Sequence, residues 1–297
     1  MPTVLITGAS TGIGQATALR LARAGWTVFA GVRADGDGER LAGEAPAGRI
    51  EALMLDVTDP EQVRLAAARV GELTGGGASS PGRLDALVNN AGVGFGGPLE
   101  LIDRDDLRKQ FDVNVLGQVA VTQALLPALR GARTPPGAPH AGGQAGGRIV
   151  FVSSVGGRVA MAFTAPYAAS KHAIEAIGDA LRVELRTSHV QVALIEPGSV
   201  ATPIWDKSRE LADGVTIPDG LRAEYGHVPQ AMDKVLQDTA KRGVPPELVA
   251  ETIERALTAK RMKARYLVGR DARAMVAIRR LLPDHVFDRV ARRALGV

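Results

Sequence analysis

Tyr167 and Lys171 are the two residues of this sequence whose types and spacing best suit acid–base chemistry. They lie four positions apart, and side chains at that spacing share one face of a helix. The Lys171 ammonium could then stand beside the Tyr167 phenol and lower its pKa by favouring the ionised form. An unperturbed tyrosine titrates at about 10, so a pKa of about 7 needs about 4 kcal/mol of preferential phenolate stabilisation. The pair predicts proton transfer near neutral pH, although a surface helix can also carry Tyr and Lys for solubility.

A glycine-rich turn near the start of the chain could bind a phosphate group. Apolar residues 4–7 are followed by Gly8, Gly12 and Gly14, and then by apolar residues at helical spacing over 13–24. This order predicts a strand, a tight turn and a helix. Glycines let the backbone approach a pyrophosphate, and the following helix offers unpaired N–H groups and a positive dipole end. The spacing G-x-x-x-G-x-G departs from the G-x-G-x-x-G fingerprint, so this turn alone indicates either a nucleotide site or merely a tight turn.

Strand and helix patterns alternate along the chain and must position these residues. Such alternation predicts an α/β fold, a single-domain, Rossmann-type doubly wound parallel sheet of about seven strands with helices on both faces. We assign residues 1–270 to this domain and residues 271–297 to a basic, amphipathic helical extension. Strand patterns cover residues 4–7, 27–32, 50–55, 86–89, 148–153, 191–195 and 265–268, and helical patterns cover 13–24, 60–73, 116–129, 167–186 and 246–257.

Composition favours a single soluble domain in a reducing compartment. The 297 residues include no cysteine, which excludes disulfides and thiolate metal sites. The five histidines are scattered without ligand spacing, so no metal is expected. No apolar run approaches the roughly 20 residues of a membrane span, and only Met1 and Pro2 precede the first predicted strand. We therefore expect a cytoplasmic protein. Two segments rich in Gly, Pro, Ser and Ala, residues 74–83 and 131–147, are predicted to be flexible surface insertions.

Several further motifs occur in order along the chain and carry a family resemblance. With the first two, they are Thr7 to Gly14, Asn89-Asn90-Ala91-Gly92, Asn114, Ser154, Tyr167, Lys171 and Pro197-Gly198. Because these motifs are correctly spaced over roughly residues 3–200, the chain resembles the classical short-chain dehydrogenases/reductases. Segments 97–100, 112–117 and 153–157 make it most similar to the 17-beta-hydroxysteroid and retinol dehydrogenase branch of that family.

The resemblance implies hydride transfer between a nicotinamide cofactor and an alcohol or carbonyl carbon. It assigns proton transfer to Tyr167, and it assigns to Lys171 both binding of the nicotinamide ribose and lowering of the Tyr167 pKa. Ser154 would orient the substrate oxygen, whereas its competitor Ser153 would face the sheet or the cofactor. Asn114 would hold an ordered water near Lys171 in a proton relay. From the residues alone, an asparagine in this apolar helical stretch could equally mark a local kink.

The end of the second predicted strand bears on the choice of cofactor. A site specific for NAD carries Asp or Glu there to bind the ribose hydroxyls, whereas this chain has Val32 followed by Arg33. A guanidinium can bind a 2′-phosphate bidentately, so NADP(H) is favoured over NAD(H). The alternative is that Arg33 is a solvated residue that begins a loop over 34–38, where Asp35 could partly neutralise it.

The resemblance also assigns the remaining cofactor contacts. Asp56 corresponds to an adenine contact, although it could instead cap the helix that begins near Pro60, a role that Asp59 could also perform. Thr202 would contact the nicotinamide carboxamide and fix which ring face meets the substrate. The complete set expected to bind the cofactor is Gly8, Ser10, Thr11, Gly12, Ile13, Gly14, Arg33, Asp56, Val57, Asn90, Ala91, Gly92, Tyr167, Lys171, Pro197, Gly198, Val200 and Thr202.

Residues 203–242 would cover the substrate, as the corresponding segment does in the family. We expect a lipophilic alcohol or carbonyl substrate of hydroxysteroid, retinoid or long-chain type. The alternatives are a reductase for 3-oxoacyl thioesters or sugars, and a non-catalytic protein that senses NADP(H). The apolar residues that predict a pocket, or that could equally be ordinary core, are Val155, Met161, Phe163, Ile204, Trp205, Leu211, Val215, Ile217, Leu221, Tyr225 and Met232.

The carboxyl end is strongly basic. Residues 255–297 contain twelve Lys or Arg against three Asp, and residues 279–282 and 286–293 have an amphipathic helical pattern. Such a surface could be solvated, rest weakly on an anionic membrane or pair with another subunit. No nucleic-acid partner is expected, because no recognised reading motif accompanies the charge. The resemblance implies a homodimer or homotetramer packed through the helices that contain Asn114 and Tyr167.

Overall fold

Seven parallel strands form one sheet in the computed structural model, which describes residues 1–77, 80–132, 146–202 and 217–295. Their order across the sheet is β3-β2-β1-β4-β5-β6-β7. The strand numbers fall from β3 to β1 and then rise from β4, so the switch point of this doubly wound fold lies between β1 and β4. The predicted fold class and all seven predicted strands are confirmed. The strands are β1 Thr3–Ile6, β2 Thr27–Val32, β3 Ile50–Met54, β4 Ala86–Asn89, β5 Arg148–Val152, β6 Gln191–Pro197 and β7 Arg265–Val268.

The central strands are buried on both faces, which explains why their sequences are continuous apolar runs. In β1, Val4 and Ile6 point into one core and Leu5 points into the other. Leu5 pairs with Phe29 of β2 and Leu87 of β4 in the parallel register. These pairings align the carboxyl ends of β1, β4 and β5, where the predicted functional residues follow.

Helices cover both faces of the sheet. Helices α1, α2 and α9 enclose one core, and α3, α5 and α6 enclose the other. The five predicted helices are confirmed as α1, α3, α5, α6 and α9. The helices are α1 Gly12–Arg23, α2 Asp35–Glu44, α3 Pro60–Leu73, α4 Arg104–Phe111, α5 Gln118–Arg130, α6 Ala165–Glu184, α7 Arg222–Tyr225, α8 Val228–Arg242, α9 Pro246–Thr258, α10 Arg270–Leu281 and α11 Asp284–Leu295.

The prediction of a loop over residues 34–38 is wrong, because residues 35–38 lie within helix α2. Gly36 and Gly38 lower the intrinsic helix propensity of this segment. Gly38 is nevertheless buried, and a Cβ built on it would be 2.5 Å from the Ala52 Cβ of β3. Close packing on β3 therefore allows only glycine at this position and outweighs the local propensity.

The described residues of the two predicted insertions precede the amino ends of β4 and β5, whereas the glycine turn follows the carboxyl end of β1. Residues 78–79 of the first insertion are outside the described residues. Residues 133–145 of the second insertion are outside the described residues. In the first, Thr74 Oγ1 donates to the Val70 carbonyl at 2.7 Å and accepts the Arg83 N–H at 2.9 Å. The ends of this insertion are therefore fastened to the end of α3.

Candidate active site

Ser154, Tyr167 and Lys171 meet beyond the carboxyl end of β5. Ser154 follows that strand, and the other two side chains lie on the first two turns of α6. The Tyr167 phenol is hydrogen-bonded to Ser154, whose Oγ also accepts the Gly156 N–H at 3.0 Å. A Cβ on Gly156 would be 3.2 Å from Tyr167 Cε1, so the short turn 155–157 both orients Ser154 and leaves space for the ring.

Lys171 shares a helical face with Tyr167, as the spacing predicts. Its side chain is 4% exposed, and its Nζ lies 5.7 Å from the centre of the Tyr167 ring. Nζ donates a hydrogen bond to the Val152 carbonyl at 2.9 Å, which anchors the ammonium to the end of β5. Burial lowers the pKa of Lys171 to about 8, and the negative charge of Glu175 partly opposes that shift.

The structure does not show the lowered Tyr167 pKa that the resemblance implies, and the effect of Lys171 on it stays a prediction. Burial raises the pKa of Tyr167, and the hydrogen bond from Ser154 offsets only part of the rise. Removal from water disfavours the charged form of each residue, phenolate for Tyr167 and ammonium for Lys171. The Lys171 ammonium is also directed to the Val152 carbonyl. The protonated phenol is therefore the favoured form at neutral pH.

Asn114 lies in a π-helical segment, Asp112–Gly117, between α4 and α5. This segment departs locally from α-helical hydrogen bonding, and π-helical segments are frequent at functional sites. The Asn114 side chain is buried, and its Oδ1 accepts the Val93 N–H at 2.8 Å. Its Nδ2 donates to the Val93 carbonyl at 2.9 Å and to Ser170 Oγ at 3.0 Å. Asn114 thus joins the loop after β4 to α6, the helix that carries Tyr167.

The glycine turn packs directly on the loop that follows β4. Thr7 Oγ1 accepts the N–H groups of Asn90 and Ala91, both at 2.9 Å, and Asn90 Nδ2 donates to the Thr7 and Gly8 carbonyls at 3.0 Å. Gly8 has a φ of 63°, a backbone region that favours glycine. A Cβ on Gly14 would overlap the Gly8 carbonyl oxygen. These contacts explain why the turn requires glycine at both positions.

The start of α1 fits a dinucleotide pyrophosphate. Thr11 occupies the N-cap position and makes no side-chain capping bond, and no acidic residue occupies the first turn. Gly12, at the first helical position, has a φ of 56°. An anion placed there would meet first-turn N–H groups and the positive end of the helix dipole. Thr11, Gly12 and the neighbouring residues of the turn could therefore hold the phosphates of a nucleotide.

Asp56 does not cap α3. Asp59 performs that role, because its Oδ1 accepts the N–H groups of Glu61 and Gln62 at 2.9 and 3.2 Å. Asp56 Oδ1 instead accepts the N–H and the hydroxyl of Thr58 at 2.9 and 2.7 Å. Burial alone would raise the pKa of Asp56, but the bonds from Thr58 and the charge of Arg33 outweigh burial and lower it. Asp56 is therefore a fixed carboxylate that faces Arg33, with Val57 buried next to it.

A second arginine, Arg40, accompanies Arg33 at the edge of the glycine turn. Arg33 is exposed after β2, and Arg40 of α2 donates a hydrogen bond to the Ser10 carbonyl at 2.7 Å. Arg40 also pairs with Asp37 at 3.4 Å and with Glu44 at 3.2 Å. Arg40 is a site residue that the sequence did not predict, because the pattern of residues 34–38 indicates a loop where α2 begins. The Arg40 guanidinium beside Ser10 and the exposed Arg33 guanidinium after β2 could each bind a phosphate group.

The segment after β6 is fixed by Asp271, which the sequence analysis placed in the carboxyl-terminal extension. Its Oδ2 accepts the Ser199 N–H at 2.7 Å, and a Cβ on Gly198 would overlap its carboxylate. Gly198 N–H also donates to the Val268 carbonyl at 2.9 Å. Val200 pairs with Val244, and Thr202 is the last described residue before the gap. The segment from Pro197 to Thr202 is thereby held at the carboxyl edge of the sheet.

Half-buried residues of the predicted apolar pocket come together from the loops after β4 and β5 and from α8. Phe163 has a φ of 65°, uncommon for a bulky residue, and its carbonyl accepts the Gly97 N–H at 2.7 Å. The Phe163 ring contacts His227 edge to face, with ring centres 6.3 Å apart. A Cβ on Gly96 would be 2.7 Å from Met232 Cε, so α8 also reaches this region. The described members of the predicted pocket are Val155, Met161, Phe163, Ile217, Leu221, Tyr225 and Met232, and Ile204, Trp205, Leu211 and Val215 lie outside the described residues.

Two other kinds of site are absent from the described parts of the chain. Within residues 1–77, 80–132, 146–202 and 217–295, no group of three or more His, Asp or Glu could hold a metal ion. No helix among those same residues is long and apolar enough to cross a membrane.

The glycine turn at the switch point of the sheet and the adjacent Ser154, Tyr167 and Lys171 define a nucleotide-binding α/β oxidoreductase. Residues 2–213 match the family model for short chain dehydrogenase. The chain therefore belongs to the short-chain dehydrogenase/reductase family and is an enzyme that acts on CH–OH groups with NAD(P).

Relatives match nearly the whole chain. The NADPH-dependent 3-dehydrocapnine reductase of Ornithobacterium rhinotracheale is 35% identical over 286 residues, covering 96% of this chain and 94% of the relative. Retinol dehydrogenase 5 of Mus musculus is 36% identical, covering 97% of this chain and 86% of the relative. The crystal structure of a Burkholderia phymatum short chain dehydrogenase/reductase in complex with NAD superposes with a TM-score of 0.75 at 28% identity, covering 94% of this chain and 92% of that one.

Proposed function

We propose that this enzyme is NADP(H)-dependent and transfers hydride between nicotinamide and the alcohol or carbonyl carbon of a lipophilic substrate. The observation that carries the proposal is the hydrogen-bonded pair of Ser154 and Tyr167, with Lys171 beside the Tyr167 ring. This cluster lies at the same edge of the sheet as the glycine turn, whose packing fits a dinucleotide.

In the reductive direction, Tyr167 donates its phenolic proton to the substrate oxygen. Because burial raises the pKa of Tyr167, the phenol stays protonated at neutral pH and is ready to act as a general acid. Ser154 Oγ, held by the Gly156 N–H, orients the substrate oxygen and stabilises its developing negative charge. The nicotinamide, when bound, supplies the hydride.

Lys171 and Asn114 support this proton transfer. Lys171 would bind the nicotinamide ribose through its ammonium group. A Cβ built on Gly92 would be 3.3 Å from Asn114 Oδ1 and 3.7 Å from Lys171 Nζ, so Gly92 separates the two side chains and leaves space between them. We place the water-mediated proton relay at this point. Asn114 additionally positions Tyr167, because it bonds to Ser170 of the same helix.

The preference for NADP(H) is supported by Arg33 and Arg40. Arg40 bonds to the Ser10 carbonyl, and Arg33 is exposed directly after β2. A guanidinium group can bind a 2′-phosphate with charge-assisted hydrogen bonds, and we assign this role to Arg33 with Arg40 as its neighbour on α2. Val32, at the end of β2, offers no carboxylate to repel that phosphate. The related 3-dehydrocapnine reductase is named as NADPH-dependent, which agrees with this preference.

A lipophilic substrate is supported by the half-buried apolar residues of the predicted pocket, among them Val155, Phe163 and Met232. The similarity to retinol dehydrogenase 5 points the same way, because retinol is a lipophilic alcohol. Reduction of a 3-oxoacyl thioester or a sugar would use the same Ser154, Tyr167 and Lys171, so only a choice of substrates separates these reactions. The non-catalytic sensor is disfavoured because every proposed catalytic residue is present.

Partners of the enzyme stay predictions from the sequence. We propose a homodimer or homotetramer, which sedimentation equilibrium would distinguish from a monomer.

The basic helices α10 and α11 would make weak contact with anionic membranes. Sedimentation with phosphatidylserine vesicles tests this contact, and phosphatidylcholine vesicles are the control. Equal recovery with both vesicles would contradict it. Nucleic acid is not an expected partner, and the cytoplasmic location stays a prediction.

The proposal is tested by oxidation of NADPH and NADH with steroid ketones, retinal, long-chain aldehydes and acetoacetyl thioesters. Tyr167→Phe should lower kcat at least about 100-fold while sparing NADPH affinity, because general acid catalysis typically contributes that much. Tyr266→Phe is the matched control, since that hydroxyl accepts the Lys263 N–H at 3.0 Å, outside the proposed site. Undiminished turnover by Tyr167→Phe would overturn the assignment.

A further inference from the structure

Two buried carboxylates that the proposed reaction does not use lie on α6, the helix that carries Lys171, and on β6, the strand that α6 packs against. Glu175 is one helical turn beyond Lys171 on α6, and Glu196 lies on β6. The two residues are 5% and 0% exposed. Arg265 Nε lies 2.9 Å from Glu175 Oε2 and 3.1 Å from Glu196 Oε1, so both carboxylates converge on one N–H group.

The remaining oxygens of the pair indicate a shared proton. Glu175 Oε1 and Glu196 Oε2 are both buried and have no hydrogen-bond donor among the described residues. Two ionised carboxylates in this arrangement would repel each other and leave two acceptors unsatisfied, whereas one shared proton satisfies both. Burial, followed by the charge of Glu175, raises the pKa of Glu196 to about 7, although Arg158 opposes the shift.

The charged neighbours of the pair are distributed over three elements. Arg158, in the turn after β5, lies 3.1 Å from Glu196 Oε1. Arg265 of β7 also bonds to Asp179 of α6 at 2.6 Å, and Asp179 pairs with Arg182 at 2.6 Å. Lys171 is the cation on the side of the active site, and it has no carboxylate bonded to it in the described structure.

Gly157 shows how near the pair lies to the active site. A Cβ on Gly157 would be 2.9 Å from Glu175 Cγ, 3.0 Å from the Lys171 carbonyl and 2.8 Å from Ser153 Oγ. Ser153 Oγ is itself buried without a hydrogen-bond partner in the described residues. The turn that orients Ser154 thus packs against the Glu175 side chain and the Lys171 backbone.

We propose that Glu175 and Glu196 share one proton and together act as positioning residues that keep the buried Lys171 in its charged form. The proposal rests on the proposed function, in which the Lys171 ammonium binds the cofactor. Without a nearby negative charge, burial would lower the pKa of Lys171 further, and Lys171 would lose its proton at a lower pH than it does beside Glu175. The pair supplies that charge from within the protein, so Lys171 needs no direct carboxylate contact.

The test measures NADPH affinity between pH 6 and 9, which requires no substrate and no turnover. In the wild type, affinity should fall as the pH rises through about 8, where Lys171 loses its proton. Glu175→Gln should move the midpoint of this fall to lower pH. At pH 8, the NADPH affinity of the variant should then be about tenfold weaker than that of the wild type for each pH unit by which the midpoint moves. Glu175→Asp keeps the charge and should retain the wild-type profile. A Glu175→Gln profile that superimposes on the wild type, or equal loss in Glu175→Asp, would overturn the proposal.

A second measurement tests the shared proton without any cofactor. Because the pKa of Glu196 is raised in the folded state, its contribution to stability is fully present at low pH and is lost as the pH rises to about 7. Glu196→Gln should remove this part of the pH dependence of Tm, and its amide can donate to Glu175. An unchanged pH dependence of Tm in Glu196→Gln would refute the shared proton. If the wild-type protein bound no NADPH at all, the proposed function would be contradicted. The pH dependence of Tm would still test the shared proton, because that measurement uses no cofactor.

Discussion

Replacing Arg33 with alanine should weaken NADPH binding but leave NADH binding unchanged. A hydrogen bond to a charged group contributes about 1.5–3 kcal/mol when buried. Arg33 is exposed, so we discount its contribution for solvent screening to about 1–1.5 kcal/mol, or about five- to tenfold in Kd. The measurement is titration of nicotinamide fluorescence at low and high salt, and the loss should shrink at high salt because the charges are screened.

Arg40→Ala should give a different pattern. Arg40 is bonded to two carboxylates, Asp37 and Glu44, whereas Arg33 faces one, Asp56, so we expect Arg40 to contribute less than Arg33 to phosphate binding. It also holds the Ser10 carbonyl at 2.7 Å, so its loss should weaken NADPH and NADH together by about 1 kcal/mol. Arg64→Ala, which removes a surface pair with Glu61, is the control. If Arg33→Ala weakened NADH as much as NADPH, the assignment of Arg33 to the 2′-phosphate would be refuted.

Two further predictions concern the cofactor turn and the fold. Gly14→Ala should abolish NADPH binding and lower Tm, because its Cβ would overlap the Gly8 carbonyl; cofactor titration and thermal unfolding measure both, and a variant that still binds would contradict the packing. Arg148→Leu should lower the free energy of unfolding by about 2–3 kcal/mol, since buried Arg148 donates to the Ala256 and Leu257 carbonyls at 3.1 and 2.7 Å. Urea denaturation measures this loss, and a change below about 0.5 kcal/mol would count against it.

The sheet could be predicted from the sequence because its strands are buried on both faces. A strand such as Arg148–Val152 is then a short apolar run bounded by polar and glycine-rich segments. Helix α2 could not be predicted, since Gly36 and Gly38 disfavour a helix locally and only packing on Ala52 of β3 explains Gly38. Tertiary contacts override propensity in such segments.

The core of the candidate site was predictable because its residues lie in short, ordered motifs. The residues that hold those motifs in place could not be predicted, because they contact residues far away in the sequence. Arg40 contacts Ser10 from 30 positions away, and Asp271 contacts Ser199 from 72. The sequence contains one signal for Asp271, the glycines at 198 and 269 against which its carboxylate packs, but their purpose is visible only once β6 and β7 are paired.

Burial acts on the two titrating groups of the site in opposite directions, and this bears on the direction of catalysis. Burial raises the pKa of Tyr167 and lowers that of Lys171 to about 8, so each group is pushed toward its neutral form. A neutral Tyr167 is the acid that carbonyl reduction needs, whereas alcohol oxidation needs the phenolate. Oxidation should therefore gain rate as the pH rises, until loss of the Lys171 charge opposes the gain, while reduction keeps its acid throughout the neutral range. We therefore expect reduction to be faster than oxidation at neutral pH, and pH–rate profiles in the two directions measure this difference; a higher rate of oxidation at pH 7 would contradict it.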